Sequence, residues 1–328
     1  MSELRTTLLV ALLAGGLGTP SGSAQTYFTD LLCSPYSPPG RQTCVGIDRN
    51  KGGAITHLQT EWSCPPPQPP FYPGQPSPPC VNLVDNGFPD NGRQVQVSFY
   101  LDGQSYPSCW PCNTGCHWGW NPVQAGTCHH PSTSGHYYYQ WSPNSMFIQT
   151  QPMHWDNELG RSNFYVGSWL SFLSHNVLSI TYQLWNGESF AIHGGHELPV
   201  AYLDWTLGSA KAYVGPNPFS NAPISEIPVP VGPGNSPVVN ATERWVGWFG
   251  LFDLAGIGVG EAGVALYVPQ TSYSQVWRVG KIASPPTSYI QNVANWSLAP
   301  NTPYTTTVYL ITGTPEEIRS AVYALEGY

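Results

Sequence analysis

Residues 93–102, RQVQVSFYLD, and residues 178–187, LSITYQLWNG, carry the reading of the fold. Val95, Val97, Phe99 and Leu101 alternate with Gln94, Gln96, Ser98 and Tyr100, and Leu178, Ile180, Tyr182 and Leu184 repeat the pattern. A period of two puts every apolar side chain on one face, as a half-buried strand requires. GVALYVP at 263–269 and TTTVYLITG at 305–313 add further strands, and glycine and proline punctuate the intervals. TPEEIRSAVYAL at 314–325 reads instead as a short closing helix, with Thr314 as N-cap, Pro315 at N1 and Glu317 as capping-box partner. No linker divides the strand-rich part and no internal repeat is visible. These features predict an all-β chain: one large antiparallel β-sandwich over residues 25–328, decorated by loop insertions and ending in a helix.

The N-terminus sets the compartment. TTLLVALLAGGLG at 6–18 is an apolar run of signal-peptide length followed by the small residues SGSAQ, which predicts cleavage after Ala24 and a signal peptide over 1–24. The run is too short and too glycine-rich to span a bilayer, so no membrane attachment is expected after cleavage. All eight cysteines, from Cys33 to Cys128, lie in the first part of the chain, and their even number predicts four disulfides in an oxidising, extracellular compartment. Asn240-Ala-Thr and Asn295-Trp-Ser are glycosylation sequons. CPPPQPPFYPGQPSPPC at 64–80 must run as an extended loop across residues 65–79. CWPCNTGCHWGW and GTCHHPSTSGH form a Cys/His-rich insertion over 103–135. Its C-x₂-C spacing resembles a zinc site, but in a secreted chain the disulfide reading takes precedence and no metal or other cofactor is expected.

Charged residues make up 9% of the chain, against about 25% in an ordinary globular protein, and lysine occurs only at 51, 211 and 281. A net charge of −8 without a basic cluster argues against nucleic acid and anionic membranes as partners. Abundant Trp, Tyr, Asn, Gln and Ser suit a neutral, hydroxyl-rich ligand, because aromatic faces cover the C–H faces of sugar rings while amides and hydroxyls pair with their OH groups. The plainer reading is a β-rich core, since aromatics also favour strands.

Several segments, taken as a set, resemble a family of secreted, mostly uncharacterised proteins of galactose-mutarotase-like β-supersandwich character. They are GGAITHL, NLVDNGFPDNGRQVQVSFY, WGWNPVQAG, FIQTQPMHW, HELPVAYL, ATERWVGWF and YLITGTPEEIRS, in one order over residues 45–320. The resemblance implies a sheet whose concave face holds carbohydrate, and a histidine acting with a carboxylate in proton transfer at a sugar. The proline tract and the Cys/His-rich insertion depart from that pattern.

HGGHELP at 193–199 is the leading candidate site: a tight bend at Gly194 and Gly195 entering the strand VAYLDW, with His196 and Glu197 as acid and base. At a strand entry these two would face opposite sides of the sheet unless a bulge intervenes. Glu243 in ATERW is the candidate second carboxylate that glycoside hydrolysis needs; the alternative is a pairing near Arg244. Arg93, Gln94, Trp120, Asn121, Gln124 and Trp155 are candidate sugar-binding residues, although Gln94 and its neighbour Gln96 also fit a solvated strand face. Gly258, Gly260 and Gly263 satisfy G-x-G-x-x-G, but no βαβ unit surrounds them and the match is dismissed. The functional expectation is a secreted carbohydrate-active enzyme, a glycoside hydrolase acting on a neutral poly- or oligosaccharide. The competing expectation is a non-catalytic lectin or an extracellular matrix or cell-wall protein.

Overall fold

The structure, a computed structural model, describes residues 28–35, 42–63, 80–85, 94–99, 120–121, 136–154, 162–232, 236–254, 258–269, 274–283 and 286–328. The predicted signal peptide, the proline tract and most of the Cys/His-rich insertion lie outside the described residues.

In chain order the first strands are β1 (Asp30–Cys33), β2 (Cys44–Asp48), β3 (Ala54–Gln59), β4 (Val95–Ser98), β5 (Trp120–Asn121), β6 (His136–Ser142) and β7 (Ser145–Thr150). They continue as β8 (Met153–His154), β9 (Phe164–Phe172), β10 (Val177–Asn186), β11 (Ile192–Leu203), β12 (Ser209–Ala212) and β13 (Ser225–Ile227). The last are β14 (Val238–Val239), β15 (Trp245–Leu254), β16 (Gly258–Tyr267), β17 (Ser274–Ala283), β18 (Pro286–Leu298) and β19 (Thr302–Gly313), before the helix α1 (Pro315–Glu326).

Two large antiparallel sheets form the sandwich. One has eight strands in the order β1-β2-β3-β4-β11-β18-β17-β14, the other nine in the order β13-β12-β15-β16-β19-β10-β9-β7-β6. The alternation read from the sequence sets which residues meet between them. Val95 and Val97 on β4 and Ala201 and Ile290 from β11 and β18 share one buried cluster with Ile180, Tyr182 and Leu184 on β10 and Leu310 on β19. β10 is paired along its whole length on both sides, Val177 to Asn186 facing Ile311 to Thr302 of β19.

α1 follows the capping logic of its sequence. Thr314 Oγ1 accepts from the Glu317 N–H at 3.2 Å, Glu317 Oε2 accepts from the Thr314 N–H at 2.9 Å, and Gly327 ends the helix with φ 86°. Its buried face, Ile318 and Val322, covers Trp245, Phe249, Ala265, Tyr267 and Ile311 on the outer side of the nine-stranded sheet.

Two local expectations change. The segment 193–199 is no bend: it lies inside the continuous strand β11, and the irregularity falls later, where pairing shifts between Glu197 and Val200 around the cis Leu198–Pro199 peptide. Gly195 serves close packing, since a Cβ there would stand 3.1 Å from both Asn295 Oδ1 and Val293 Cγ1 of the neighbouring strand, while Gly194 adopts a φ of 132° that favours glycine. Gln94 and Gln96, which fitted a solvated face, are both buried. Cys33 and Cys44 are bonded to each other as register partners on β1 and β2, and Cys80 is also disulfide-bonded; the remaining cysteines fall outside the described residues.

Candidate functional site

β11 runs centrally in the eight-stranded sheet, between β4 and β18, and its alternation sends His196 and Glu197 to opposite faces. His196 points inward. It is fully buried, 5.1 Å edge-on from the Trp296 ring and 5.5 Å from Phe99, with a hydrogen bond to the Trp296 backbone. Burial lowers its pKa to about 4 even though that hydrogen bond opposes the shift. The imidazole is therefore neutral at ordinary pH and shares no face with its sequence neighbour.

Glu197 points outward, between Ser98 of β4 and Val293 of β18. Gln291 Nε2 donates to its Oε1 at 2.6 Å, and only 4% of the residue is exposed. The bulge after it turns Val200 opposite Gln96 and Gln291, so that Gln96, Ser98, Glu197 and Gln291 occupy adjoining positions across three strands. Tyr202 continues the same face, its ring 5.7 Å from Tyr289, and its N–H donates to the Gln94 carbonyl at 3.3 Å. The Asp85 N–H donates to the Tyr202 carbonyl at 3.1 Å, anchoring that acid to β11. A carboxylate, amides, a hydroxyl and phenol rings thus stand together on one sheet face.

The other candidate residues divide. Trp120 and Asn121 form β5, which lies beside β4 and pairs with β8 through Trp120 to His154 and Asn121 to Met153. Arg93, Gln124 and Trp155 lie outside the described residues. Glu243 belongs elsewhere: it sits fully buried in the turn before β15, in the nine-stranded sheet. Its oxygens accept from Arg319 Nη2 at 2.6 Å, Arg319 Nε at 3.0 Å, Tyr323 Oη at 2.8 Å, Trp245 Nε1 at 3.1 Å and the Phe219 N–H at 3.1 Å. Burial pushes its pKa up, but the bonds from Arg319, Trp245 and Tyr323 outweigh this and hold the group below the ordinary carboxylate value. The cause is a long-range pairing with α1, so Glu243 is a helix anchor and does not stand beside Glu197. Arg244, its suspected neighbour, pairs instead with Glu326 at 2.9 Å.

Sequence reading passed over one further cavity, of about 80 Å³, at the end of the sandwich nearest the start of α1. Glu61, Trp62, His175, Asn176, Thr314 and Glu317 help to line it, and Trp62 packs 4.6 Å from Phe252. These residues come from three separate segments and no local motif joins them. Among the described residues, no group of three or more His, Cys, Asp and Glu is placed to hold a metal ion.

No family model matches the chain, and no curated protein matches it either. Solved structures similar to it include a galactose mutarotase-like protein from Lactobacillus casei ATCC 334, 9% identical, covering 86% of this chain and 100% of the other with a TM-score of 0.45. Another is a galactose mutarotase-like protein from Clostridium acetobutylicum, 12% identical over 83% of this chain and 92% of the other, TM-score 0.42. A third is the GH36 α-galactosidase AgaA from Geobacillus stearothermophilus, 9% identical over 90% of this chain and 42% of that one, TM-score 0.49.

Proposed function

We propose that the chain is a secreted carbohydrate-active enzyme that takes a neutral poly- or oligosaccharide on the outer face of the eight-stranded sheet and hydrolyses it with Glu197 as an acid–base group. The observation that carries the reading is the setting of Glu197: its carboxylate accepts from the Gln291 amide, with Ser98 and Gln96 at adjoining positions and Tyr202 further along β11. Amide and hydroxyl groups recognise sugar hydroxyls in both directions, as donors and acceptors. A carboxylate among them is the group that moves a proton at a glycosidic oxygen or an attacking water.

Hydrolysis calls for a second carboxylate about 5–10 Å away. Glu243 is unsuited, being sealed under α1 in the other sheet. Asp85, held to β11 through Tyr202 five residues along the strand from Glu197, is the acid this reading assigns to that role, with both side chains reaching toward the substrate between them. His196 keeps the strand packed from below and performs no proton transfer on the substrate. The Cys33–Cys44 bond and the bonded state of Cys80 support an oxidising compartment and hence secretion.

The test is incubation of the purified chain with a panel of neutral polysaccharides, followed by measurement of new reducing ends. The expected result is release from at least one polymer, lost in Glu197→Gln and in Asp85→Asn. Absence of reducing ends across the panel would overturn hydrolysis. Turnover that survives Glu197→Gln but disappears in Glu61→Gln would place the chemistry in the end cavity instead.

A further inference from the structure

α1 covers only part of the nine-stranded sheet's outer face, the part formed by β15, β16, the end of β19 and the first residue of β10. The rest of that face, over β6, β7, β9 and β10, has a different composition. One row across the strands reads Gln140, Phe147, Trp169, Thr181 and Thr307; the next reads Tyr138, Gln149, Gly167, Gln183 and Thr305. Tyr165, Trp185 and Pro303 form a third. None of these positions carries a charge.

The rings are presented to solvent. Tyr138 is 50% exposed, Trp169 40% and Trp185 41%. Tyr138, Phe147 and Trp169 make a continuous series, with centroids 6.0 and 5.7 Å apart. The glycine in the middle row keeps it in place: a Cβ at Gly167 would lie 3.0 Å from two atoms of the Phe147 ring, so that ring rests over the bare backbone. Thr181 and Thr307 are tied by a 2.9 Å hydroxyl contact beside Trp169.

We propose that this open half of the sheet is a docking platform for an uncharged polysaccharide chain, separate from the face that carries Glu197. A sugar polymer offers C–H faces to rings and hydroxyls to amides, and both kinds of group alternate here at strand spacing. A protein partner would call for a broad apolar centre with a charged or polar rim, whereas this series of rings is narrow and is bordered directly by Gln149, Gln183 and Thr181. An anionic membrane or a nucleic acid would call for Lys and Arg, and the platform has neither. An open face takes the middle of a chain more readily than its end. The platform therefore holds polymer while chemistry proceeds on the other sheet, and it does not depend on what that chemistry is.

The experiment is a sedimentation assay of the full chain with insoluble cellulose, xylan, mannan and chitin, run beside the variants Tyr138→Ala, Trp169→Ala and the double variant. Wild-type protein should co-sediment with at least one polymer. Each single variant should weaken binding about tenfold with an unchanged melting transition, and turnover of a soluble oligosaccharide should stay at the wild-type level. Glu197→Gln should do the reverse, sparing sedimentation while stopping turnover. The proposal fails if no polymer retains the wild type, or if the double variant is retained equally well. It also fails if the wild type dimerises through this face and Trp169→Ala makes it monomeric without touching polymer binding.

Discussion

Arg319 on α1 grips both carboxylate oxygens of Glu243, Nη2 to Oε1 at 2.6 Å and Nε to Oε2 at 3.0 Å, and its Nη1 also donates to the Ala222 carbonyl. This pair joins the C-terminal helix to the turn before β15. Because Glu243 is fully buried, removing the guanidinium strands a charge in a dry site, while Trp245 and Tyr323 still point at it. Arg319→Ala should therefore destabilise the fold by about 3–5 kcal/mol, and Tyr323→Phe by about 1 kcal/mol. Urea unfolding measures both. A loss below about 1 kcal/mol for Arg319→Ala would show that the helix is held by Ile318 and Val322 alone.

His196 and Glu243, both buried, act in different pH windows. His196 has its folded pKa lowered from 6.5 to about 4 by burial. Between those values the unfolded imidazole takes a proton that the folded one refuses, so stability falls as pH drops through this window, by roughly 3 kcal/mol in all. Glu243 is also depressed, so its contribution is full above the unfolded carboxylate value and is lost as pH falls through the lower folded one. His196→Leu should flatten the loss between pH 6.5 and 4 and leave the more acidic loss in place. His57, lowered by burial in the same direction, leaves a residual slope in both proteins, so the difference between the two curves is the quantity to read. Parallel curves would mean that His196 is hydrated in solution.

Glu197→Gln keeps the shape of the side chain and an oxygen for Gln291 to address, and removes only the capacity to move a proton. Turnover should drop about 10²–10⁴-fold, with the thermal midpoint moving by no more than about two degrees. A large fall in the midpoint with normal specific activity would make Glu197 a structural partner of Gln291. His196→Ala is expected to behave in the opposite way. It opens a cavity beside Phe99 and Trp296 and costs stability, while the folded fraction retains its turnover.

What could be read from sequence was local. The alternation at 178–184 became β10, and Thr314, Pro315 and Glu317 capped α1 as their spacing implied. Two of the changed readings depended on a neighbour distant in the chain. Gly195 looks like part of a bend until β18 is laid against it, when Asn295 and Val293 are seen to fill the space that a side chain would take. Glu243 looks like a free acid until Arg319, seventy-six residues later, is brought beneath it. The aromatic rows of the nine-stranded sheet were hidden for the same reason, since Tyr138, Phe147 and Trp169 come together only through the register of β6, β7 and β9. Glycine, carboxylate and tryptophan each have several uses, and pairing across strands selects among them.

The glycines of GVGEAG, residues 258–263, supply the last prediction. They lie in β16; Gly258 has a left-handed φ of 90° and open space around it, whereas Gly260 and Gly263 face atoms of β15. A Cβ on Gly263 would overlap the Trp248 carbonyl oxygen and stand 2.8 Å from Phe249 Cα, both of them backbone and unable to rotate away. At Gly260 the nearest obstacle is Leu254 Cδ1 at 2.6 Å, the far end of a flexible side chain. Gly263→Ala should therefore cost about 1–3 kcal/mol through forced separation of β15 and β16, and Gly260→Ala less than about 1 kcal/mol. Trp248 amplifies the first effect, because its indole N–H donates across to the Tyr289 carbonyl at 2.9 Å and ties that backbone to the opposite sheet. Thermal unfolding of the two variants checks the order. Equal losses would mean that the strand pair separates as easily at one position as at the other, and would remove the steric reason for Gly263.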